Sequence, residues 1–155
     1  MTPRSTPLRL GIFVLIIGIV LAACGADDPD PTPVDGHPAA LAGTAWRVVS
    51  IAGQRPPAGS EPAIAFDATT AKGSGGCNSF SGTYRYERTG AIAFGDLAMT
   101  AMACLEAPRN DVETAFMRTL GAVNLVSVDA LGLLVLSGQA GEIRLIEAAR
   151  PNQTG

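Results

Sequence analysis

The residues with the widest chemical repertoire in this chain are three cysteines: Cys24, Cys77 and Cys104. A cysteine can act as a nucleophile, ligate zinc, carry a lipid or join a disulfide. Nucleophilic catalysis needs a neighbouring base, and the single histidine, His37, lies in a segment rich in proline and aspartate, outside the region that looks folded. Two cysteines with no histidine in the folded region do not complete a four-ligand zinc site. Lipid attachment, a disulfide and free thiols therefore remain.

The other residues with catalytic character are serines and carboxylates. Ser79 and Ser81 follow a glycine pair, but they do not form a Gly-x-Ser-x-Gly turn between a strand and a helix. Four carboxylates of the folded region are scattered along the sequence, and we expect most of them to be solvated; they are Glu106, Asp111, Glu113 and Asp129. We therefore predict that the protein is not an enzyme, and we predict no metal or other cofactor.

Residues 1–23 have the pattern of a secretory signal. Arg4 and Arg9 precede the apolar run 10–21, whose 12 residues fall short of the roughly 20 that cross a bilayer as a helix. Small residues and Cys24 follow in the order Leu-Ala-Ala-Cys, which resembles the bacterial lipobox. The resemblance implies cleavage before Cys24 and acylation of its sulfur, with two or three acyl chains giving a stable anchor. An uncleaved transmembrane helix and a signal with an incidental cysteine are the alternatives.

Export changes what is expected of the remaining cysteine pair. Outside the cytosol two thiols normally end as a disulfide, so we predict a bond between Cys77 and Cys104. Closure of the intervening loop stabilises a domain by roughly 3–4 kcal/mol in the chain-entropy model. Two free buried thiols are the alternative.

Residues 24–40 are predicted to be a disordered tether that carries the lipidated cysteine. The segment 25–38 has four prolines and four aspartates, and proline favours an extended, semi-rigid spacer. We expect His37 to be a solvated linker residue rather than a metal ligand. Without residues 1–23 the chain has nine basic and 14 acidic side chains, a net charge of −5, so we predict no nucleic-acid partner. We also predict a monomer.

Residues 41–147 have the alternation and turn signals of a mainly β domain, followed by a flexible tail at 148–155. One helix is indicated, with Asn110 as its cap and Glu113 completing a capping-box-like pair. Val112, Phe116 and Leu120 form its apolar stripe. The predicted strands are 44–51, 63–67, 69–74, 83–87, 91–94, 124–128, 133–137 and 142–146.

These elements predict an α+β fold: a small curved or barrel-like antiparallel sheet of about eight short strands with one packed α-helix. The strand at 133–137 is apolar on both faces, which indicates a central position in the sheet.

Three segments resemble one known family. Residues 75–84, Gly-Gly-Cys-Asn-Ser-Phe-Ser-Gly-Thr-Tyr, resemble the Gly-Cys-Asn-x-Phe-x-Gly-x-Tyr signature of META domains, the HslJ-like family. Residues 97–104 resemble its Thr-x-Met-Ala-Cys segment, and 41–46 resemble its opening Leu-x-Gly-x-x-Trp. The resemblance covers nearly all of the predicted domain at 41–147.

The resemblance implies a mainly β fold with one helix in a bacterial lipoprotein of the cell envelope. Members are linked to stress responses and drug tolerance, and no enzymatic activity defines them. The signature residues have structural interpretations: Phe80 and Trp46 are expected in the core. Asn78 and Ser79 are a candidate binding or structural loop.

The predicted function is that of a non-catalytic lipoprotein held by Cys24 at the extracytoplasmic face of the cell membrane, with a binding or stress-related role and an envelope protein as partner. A barrel-like carrier of a small apolar ligand and an enzyme of unknown type are the alternatives. The volume inside the barrel discriminates the carrier, because large side chains filling the interior would exclude a ligand.

Overall fold

The computed structural model of the chain describes residues 36–38, 40–102, 104 and 106–148. The predicted signal peptide, Cys24, most of the predicted tether and most of the predicted tail lie outside the described residues. The described part contains one helix, α1, at Ala107–Gly121. Its strands are β1 Thr44–Ile51, β2 Ala63–Phe66, β3 Thr70–Ser74, β4 Ser79–Tyr86, β5 Ile92–Phe94, β6 Ala98–Met99, β7 Val123–Val128, β8 Leu134–Gly138 and β9 Gly141–Glu147.

The strands form one antiparallel sheet that is nearly closed. Eight of them follow one another in the order β5-β4-β3-β2-β1-β9-β8-β7, and β6 pairs with β4 beside β5. The two ends of this order meet at a seam, where Ala91 bridges Leu125 and the Val126 amide donates to the Gly90 carbonyl at 2.7 Å. This confirms the predicted barrel-like sheet with one helix. It also confirms the central strand, because β8 lies between β7 and β9.

Helix α1 lies against the barrel through one face. Phe116 and Leu120 are fully buried, and the Phe116 ring packs 5.6 Å from the Phe80 ring of β4, measured between centroids. The predicted helix start at Asn110 is wrong. The N-cap is Glu106, and its side chain makes no capping hydrogen bond. Pro108 explains the earlier start, because proline lacks an amide hydrogen and suits the first turn, where amides have no helical acceptor.

Strand β4 begins four residues before the predicted strand, and so includes the end of the signature. Phe80 and Tyr84 point to the core, while Ser79 and Ser81 are exposed, which is the alternation of a half-buried strand. The predicted loop at Asn78 and Ser79 would leave this stretch outside the sheet. Pairing overrides that prediction, since β3 binds one edge of β4 and β6 binds the other at Phe80 and Ser81.

The segment 36–38 closes the seam of the barrel, although it falls in the predicted tether. The Val128 amide of β7 donates to the Gly36 carbonyl at 2.6 Å, and the His37 Nδ1–H donates to the Val126 carbonyl at 2.7 Å. The prediction of a solvated His37 is therefore wrong, because the residue is half-buried. The physical reason is that an edge strand needs partners for its backbone groups, and the incoming chain supplies them.

Candidate functional site

A disulfide between Cys77 and Cys104 marks the centre of the signature region. It joins the turn between β3 and β4 to the segment that leads into α1, with 6.1 Å between the two Cα atoms. The predicted pairing is thus present in the structure. The bond closes a loop of 27 sequence steps, which restricts the unfolded chain and so stabilises the folded domain.

Asn78 is the centre of a hydrogen-bond network next to this disulfide. Its Nδ2 donates to Glu113 Oε1 at 2.8 Å and to the Met102 carbonyl at 3.2 Å. Its Oδ1 accepts from the Met102 amide at 2.7 Å and from Thr100 Oγ1 at 3.0 Å. Both donors and both acceptors of the amide are therefore used inside the protein, and Asn78 itself is 4% exposed. This geometry favours the structural role for Asn78 over the binding role.

Glu113 is the partner that the sequence did not reveal. Its carboxylate accepts from the Asn78 backbone amide through Oε2 and from the Asn78 side chain through Oε1. Glu113 is only 5% exposed, so the expectations of a capping-box residue and of a solvated carboxylate are both wrong for it. Its spacing was the available signal, since it precedes Phe116 by three residues and Leu120 by seven and so shares their buried helix face.

The glycine pair of the signature makes room for this carboxylate. A Cβ added at Gly75 would lie 2.9 Å from Glu113 Cγ and 3.0 Å from Oε2. A Cβ at Gly76 would lie 2.8 Å from the Ser60 carbonyl oxygen. The glycines, Asn78, the disulfide and Glu113 therefore form one unit, which we call the signature cluster: residues 75–78, Cys104 and Glu113.

The signature cluster contains residue types that bind metals, but their sulfur and oxygen atoms are already engaged in other bonds. One ligand atom of each of Cys77, Cys104 and Glu113 falls within 4.8 Å of the others. A cysteine ligates zinc as a thiolate, however, and these two sulfurs are joined to each other. Both carboxylate oxygens of Glu113 already accept hydrogen bonds from Asn78. The arrangement links β4, the segment 98–104 and α1.

A second group of polar side chains fixes the turn between β7 and β8. The Asp129 Oδ1 accepts from the amides of Leu131 and Leu133 at 2.9 and 3.0 Å. Its Oδ2 lies 3.4 Å from Arg144, which also pairs with Glu142 at 2.8 Å. The hydrogen bond to Glu142 raises the pKa of Arg144. Asp129 is half-buried rather than solvated, so this carboxylate too has a structural role.

Two tyrosines of β4 donate hydrogen bonds to backbone carbonyls of other segments. The Tyr84 hydroxyl donates to the Asp67 carbonyl at 2.8 Å, and the Tyr86 hydroxyl donates to the Pro38 carbonyl at 2.5 Å. Burial raises the pKa of both phenols, and for Tyr84 the nearby charge of Asp67 raises it further. Both groups are thus held in their neutral, donating form.

Side chains fill the interior of the barrel. Trp46 and Phe80 lie in the core as expected, at 8% and 3% exposure, and the indole N–H donates to Thr44 Oγ1 at 2.7 Å. The largest fully buried side chains are Phe66, Phe116, Leu41, Ile64, Leu120, Leu134, Leu136, Ile143 and Leu145. This packing disfavours a carrier that would hold its ligand among them.

An open groove of about 450 Å³ lies on the outside of the barrel, along α1. We call it the α1 groove. One wall is the helix face formed by Pro108, Asp111, Val112, Ala115, Arg118 and Thr119. The other wall is formed by Ile51, Ala52, Gln54, Arg55, Pro56 and Pro57.

The loop wall of the α1 groove is held close to the helix by a tight turn after β1. Ala52 has a positive φ of 46°, and the backbone groups of Ile51 and Gln54 exchange hydrogen bonds of 2.9 Å across the turn. Gly59, further along the same loop, lies beside Arg109 of α1. The loop therefore runs along the helix, and the groove is the space between them.

The α1 groove combines an apolar floor with charged rims. Ile51 and Pro56 are buried and Val112 is half-buried, whereas Arg55 and Arg118 are exposed. No pattern in the sequence predicts this groove directly, because the groove depends on how a proline-rich loop folds back on the helix. Its one trace is a second helix stripe at 108, 112, 115 and 119 beside the core stripe.

Ser79 stands at the edge of the signature rather than in a cleft. Its side chain is exposed on β4, and its backbone amide donates to Thr100 Oγ1 at 3.1 Å. The structure thus separates the two predicted loop residues: Asn78 is buried in the signature cluster, and Ser79 faces outward.

The described residues contain one helix, α1, and it is neither long nor apolar enough to cross a bilayer.

Comparison with known proteins gives one family and two similar structures. The model of the family described as META domain matches residues 39–150. A solved structure titled "NMR structure of the protein from Burkholderia xenovorans" is 23% identical, with a TM-score of 0.60 over 71% of this chain and 85% of that chain. A second, titled "NMR structure of the protein", is 26% identical, with a TM-score of 0.55 over 68% of this chain and 89% of that one. No curated protein matches the sequence.

Proposed function

This chain belongs to the META domain family, and on that premise we propose that it is a non-catalytic envelope lipoprotein that binds a partner protein through the outside of its barrel. Cys24 anchors it at the extracytoplasmic face of the cell membrane, and the acidic, proline-rich segment that follows acts as a spacer. The binding role serves the envelope under stress.

The observation that carries this proposal is the contrast between the inside and the outside of the barrel. The interior is occupied by buried aromatic and branched side chains. The outside carries an apolar groove of about 450 Å³, which lies within the usual range for binding sites of roughly 300–1,000 Å³. A partner therefore binds the outer surface. The alternative of an internal carrier is disfavoured, because side chains occupy the space that its ligand would need.

The polar chemistry of the domain supports a binding role over a catalytic one. The buried carboxylate of Glu113 and the amide of Asn78 have all of their hydrogen-bonding partners within the fold. Groups that are satisfied in this way hold a scaffold rigid, but they do not exchange protons with a substrate. A rigid scaffold in turn keeps the α1 groove in one shape, which reduces the entropy lost on binding.

Photocrosslinking in the native envelope tests the proposal. A photoreactive phenylalanine analogue replaces Ala115 in the groove or, as a matched control, Ser81 on the exposed face of β4, each with and without Cys24→Ser. We expect one adduct, with the same identified envelope protein, from position 115 in the membrane fraction, and its loss with Cys24→Ser. Adducts that are absent from both positions, or that survive unchanged without Cys24, would contradict the proposal.

A further inference from the structure

We propose that the α1 groove binds an extended, carboxylate-bearing segment of the partner protein, with aliphatic side chains on the apolar floor and carboxylates on Arg55 and Arg118. This inference rests on the proposed function and specifies the chemistry of its partner. The length, the apolar floor, the charges and the open shape of the groove support it.

The length of the groove suits a short stretch of extended chain. Its helix wall runs from Pro108 to Thr119, and at ~1.5 Å per residue this distance is roughly 16 Å. An extended segment rises about 3.3 Å per residue, so about five residues span the groove.

The floor of the groove selects apolar side chains of moderate size. Ile51, Val112 and Ala115 line it, and prolines stand at both sides. None of the described residues that line it is aromatic, so it offers no ring on which an aromatic side chain would stack. Aliphatic side chains at alternate positions of an extended segment would point to this floor, since alternate residues of an extended chain face the same side.

The charges on the rims select an acidic segment. Arg55 and Arg118 have no carboxylate within 4.0 Å among the described residues, whereas Arg109 and Arg144 are paired. Asp111 is the one acidic residue of the lining, so the groove keeps a net charge of +1. The chain as a whole has a net charge of −3, so its surface on average repels an acidic segment, whereas the lining of the α1 groove attracts one.

The open shape favours a protein segment over a small molecule. The groove is partly open to solvent between its helix wall and its loop wall. A small apolar ligand would stay largely wet in such a groove, whereas most of a bound ligand is normally buried in its site. A chain segment can continue past both ends and gain contacts beyond the groove, so it does not depend on enclosure.

Binding of designed peptides to the mature chain carrying Cys24→Ser tests the inference. The probe is the fluorescein-labelled peptide Gly-Leu-Asp-Val-Glu-Leu-Gly, measured by fluorescence anisotropy. Two control peptides keep the leucines and valine and replace the acids with Asn and Gln or with two lysines. We expect the acidic peptide to bind at least about fivefold more tightly than the neutral one, because two ion pairs are gained, and its affinity to fall as salt rises.

Matched protein variants locate the binding. Arg118→Glu is expected to weaken binding of the acidic peptide by about tenfold, since an attraction becomes a repulsion. Arg85→Glu makes the same charge change at an exposed arginine outside the groove, and we expect less than a twofold effect. Ala115→Trp fills the floor and is expected to weaken binding of all three peptides. Unchanged urea midpoints would show that the variants remain folded.

The results separate this inference from the proposal that it extends. Equal binding of the three peptides, absence of binding, or an Arg118→Glu variant that binds like the parent would overturn the inference. If an envelope protein still crosslinks at position 115 in that case, the binding role stands and only the acidic character of the partner is wrong. If the acidic peptide binds as expected but the membrane experiment yields no crosslinked partner, the proposed function is the part that fails.

Discussion

Replacement of Asn78 by aspartate tests the signature cluster with a change of one atom. The substitution keeps the shape of the side chain but replaces its Nδ2 donor by an acceptor oxygen. In the parent, that nitrogen donates to Glu113 Oε1 at 2.8 Å. In the Asn78→Asp variant two carboxyl groups meet at this distance, and like charges so close do not both remain ionised in a buried site.

The magnitude follows from the proton that the pair must hold. In the unfolded chain this carboxyl group has a pKa of about 4. Keeping it protonated in the folded state at pH 7, about three pH units higher, costs about 1.4 kcal/mol of unfolding free energy per pH unit, or about 4 kcal/mol in all. The pKa of the pair is raised in the folded variant, so the loss of unfolding free energy reaches its full size well above that raised pKa. The loss disappears as the pH falls toward the pKa that the carboxyl group has in the unfolded chain. Between pH 7 and about 5 the variant should therefore regain about 1.4 kcal/mol per unit of pH.

Urea unfolding followed by the fluorescence of Trp46 measures this directly, because Trp46 is the single tryptophan and is buried. Ser79→Asp is the matched control, since it adds the same charge one residue along at an exposed position. We expect the control to stay within about 0.5 kcal/mol of the parent. A variant at Asn78 as stable as the control, or one whose loss does not change with pH, would refute the account of the cluster.

Three further predictions concern stability. Gly90→Ala should cost about 2–3 kcal/mol of unfolding free energy, because its φ is 88° and the new Cβ would lie 2.4 Å from the His37 ring and so push the seam segment away. The paired substitution of Cys77 and Cys104 by serine should cost roughly 3–4 kcal/mol in a urea titration, as should reduction of the parent with dithiothreitol. The raised pKa of Tyr84 means that the folded protein keeps a phenol proton which the unfolded chain releases above about pH 10, so the contribution of Tyr84 to the unfolding free energy should be constant below that pH and fall above it.

Each of these has a control. Gly132→Ala also places alanine at a positive φ of 77°, but its Cβ meets nothing within 4 Å, so it should cost only about 1 kcal/mol. If both glycine variants lose the same unfolding free energy, the close contact between Gly90 and His37 at the seam does not contribute to stability. For the disulfide, a reduced parent as stable as the oxidised one would be the contrary result. For the tyrosine prediction, Tyr84→Phe should lessen the fall of the unfolding free energy above about pH 10. An unchanged fall would show that other groups cause it.

The strands and the core were predictable because their signal is local. The alternation in β1 and the apolar run of β8 each follow from which face of a strand is buried, and Trp46 and Phe80 lie in the core as expected. The disulfide was predictable from the predicted export and from the pair of thiols that remains once Cys24 is assigned to lipid.

The features that could not be predicted from the sequence depend on contacts between segments that are distant along the chain. Glu113 pairs with Asn78, 35 residues away, and nothing in its neighbourhood along the chain indicates that partner. His37 lies 89 residues from the carbonyl that it binds, in a composition that favours disorder. Strand β6 is two residues long and exists because β4 offers an edge. In each case a long-range partner outweighs the local preference, as tertiary context commonly does.

The most direct test of the account is the mass of the mature protein isolated from its own membrane, since the spacer and the working surface matter only if the domain is held there. The prediction is a chain that begins at Cys24 and whose N-terminal peptide carries diacylglycerol with or without a further acyl chain. A precursor that retains residues 1–23, or a mature chain with a free thiol at Cys24, would contradict it.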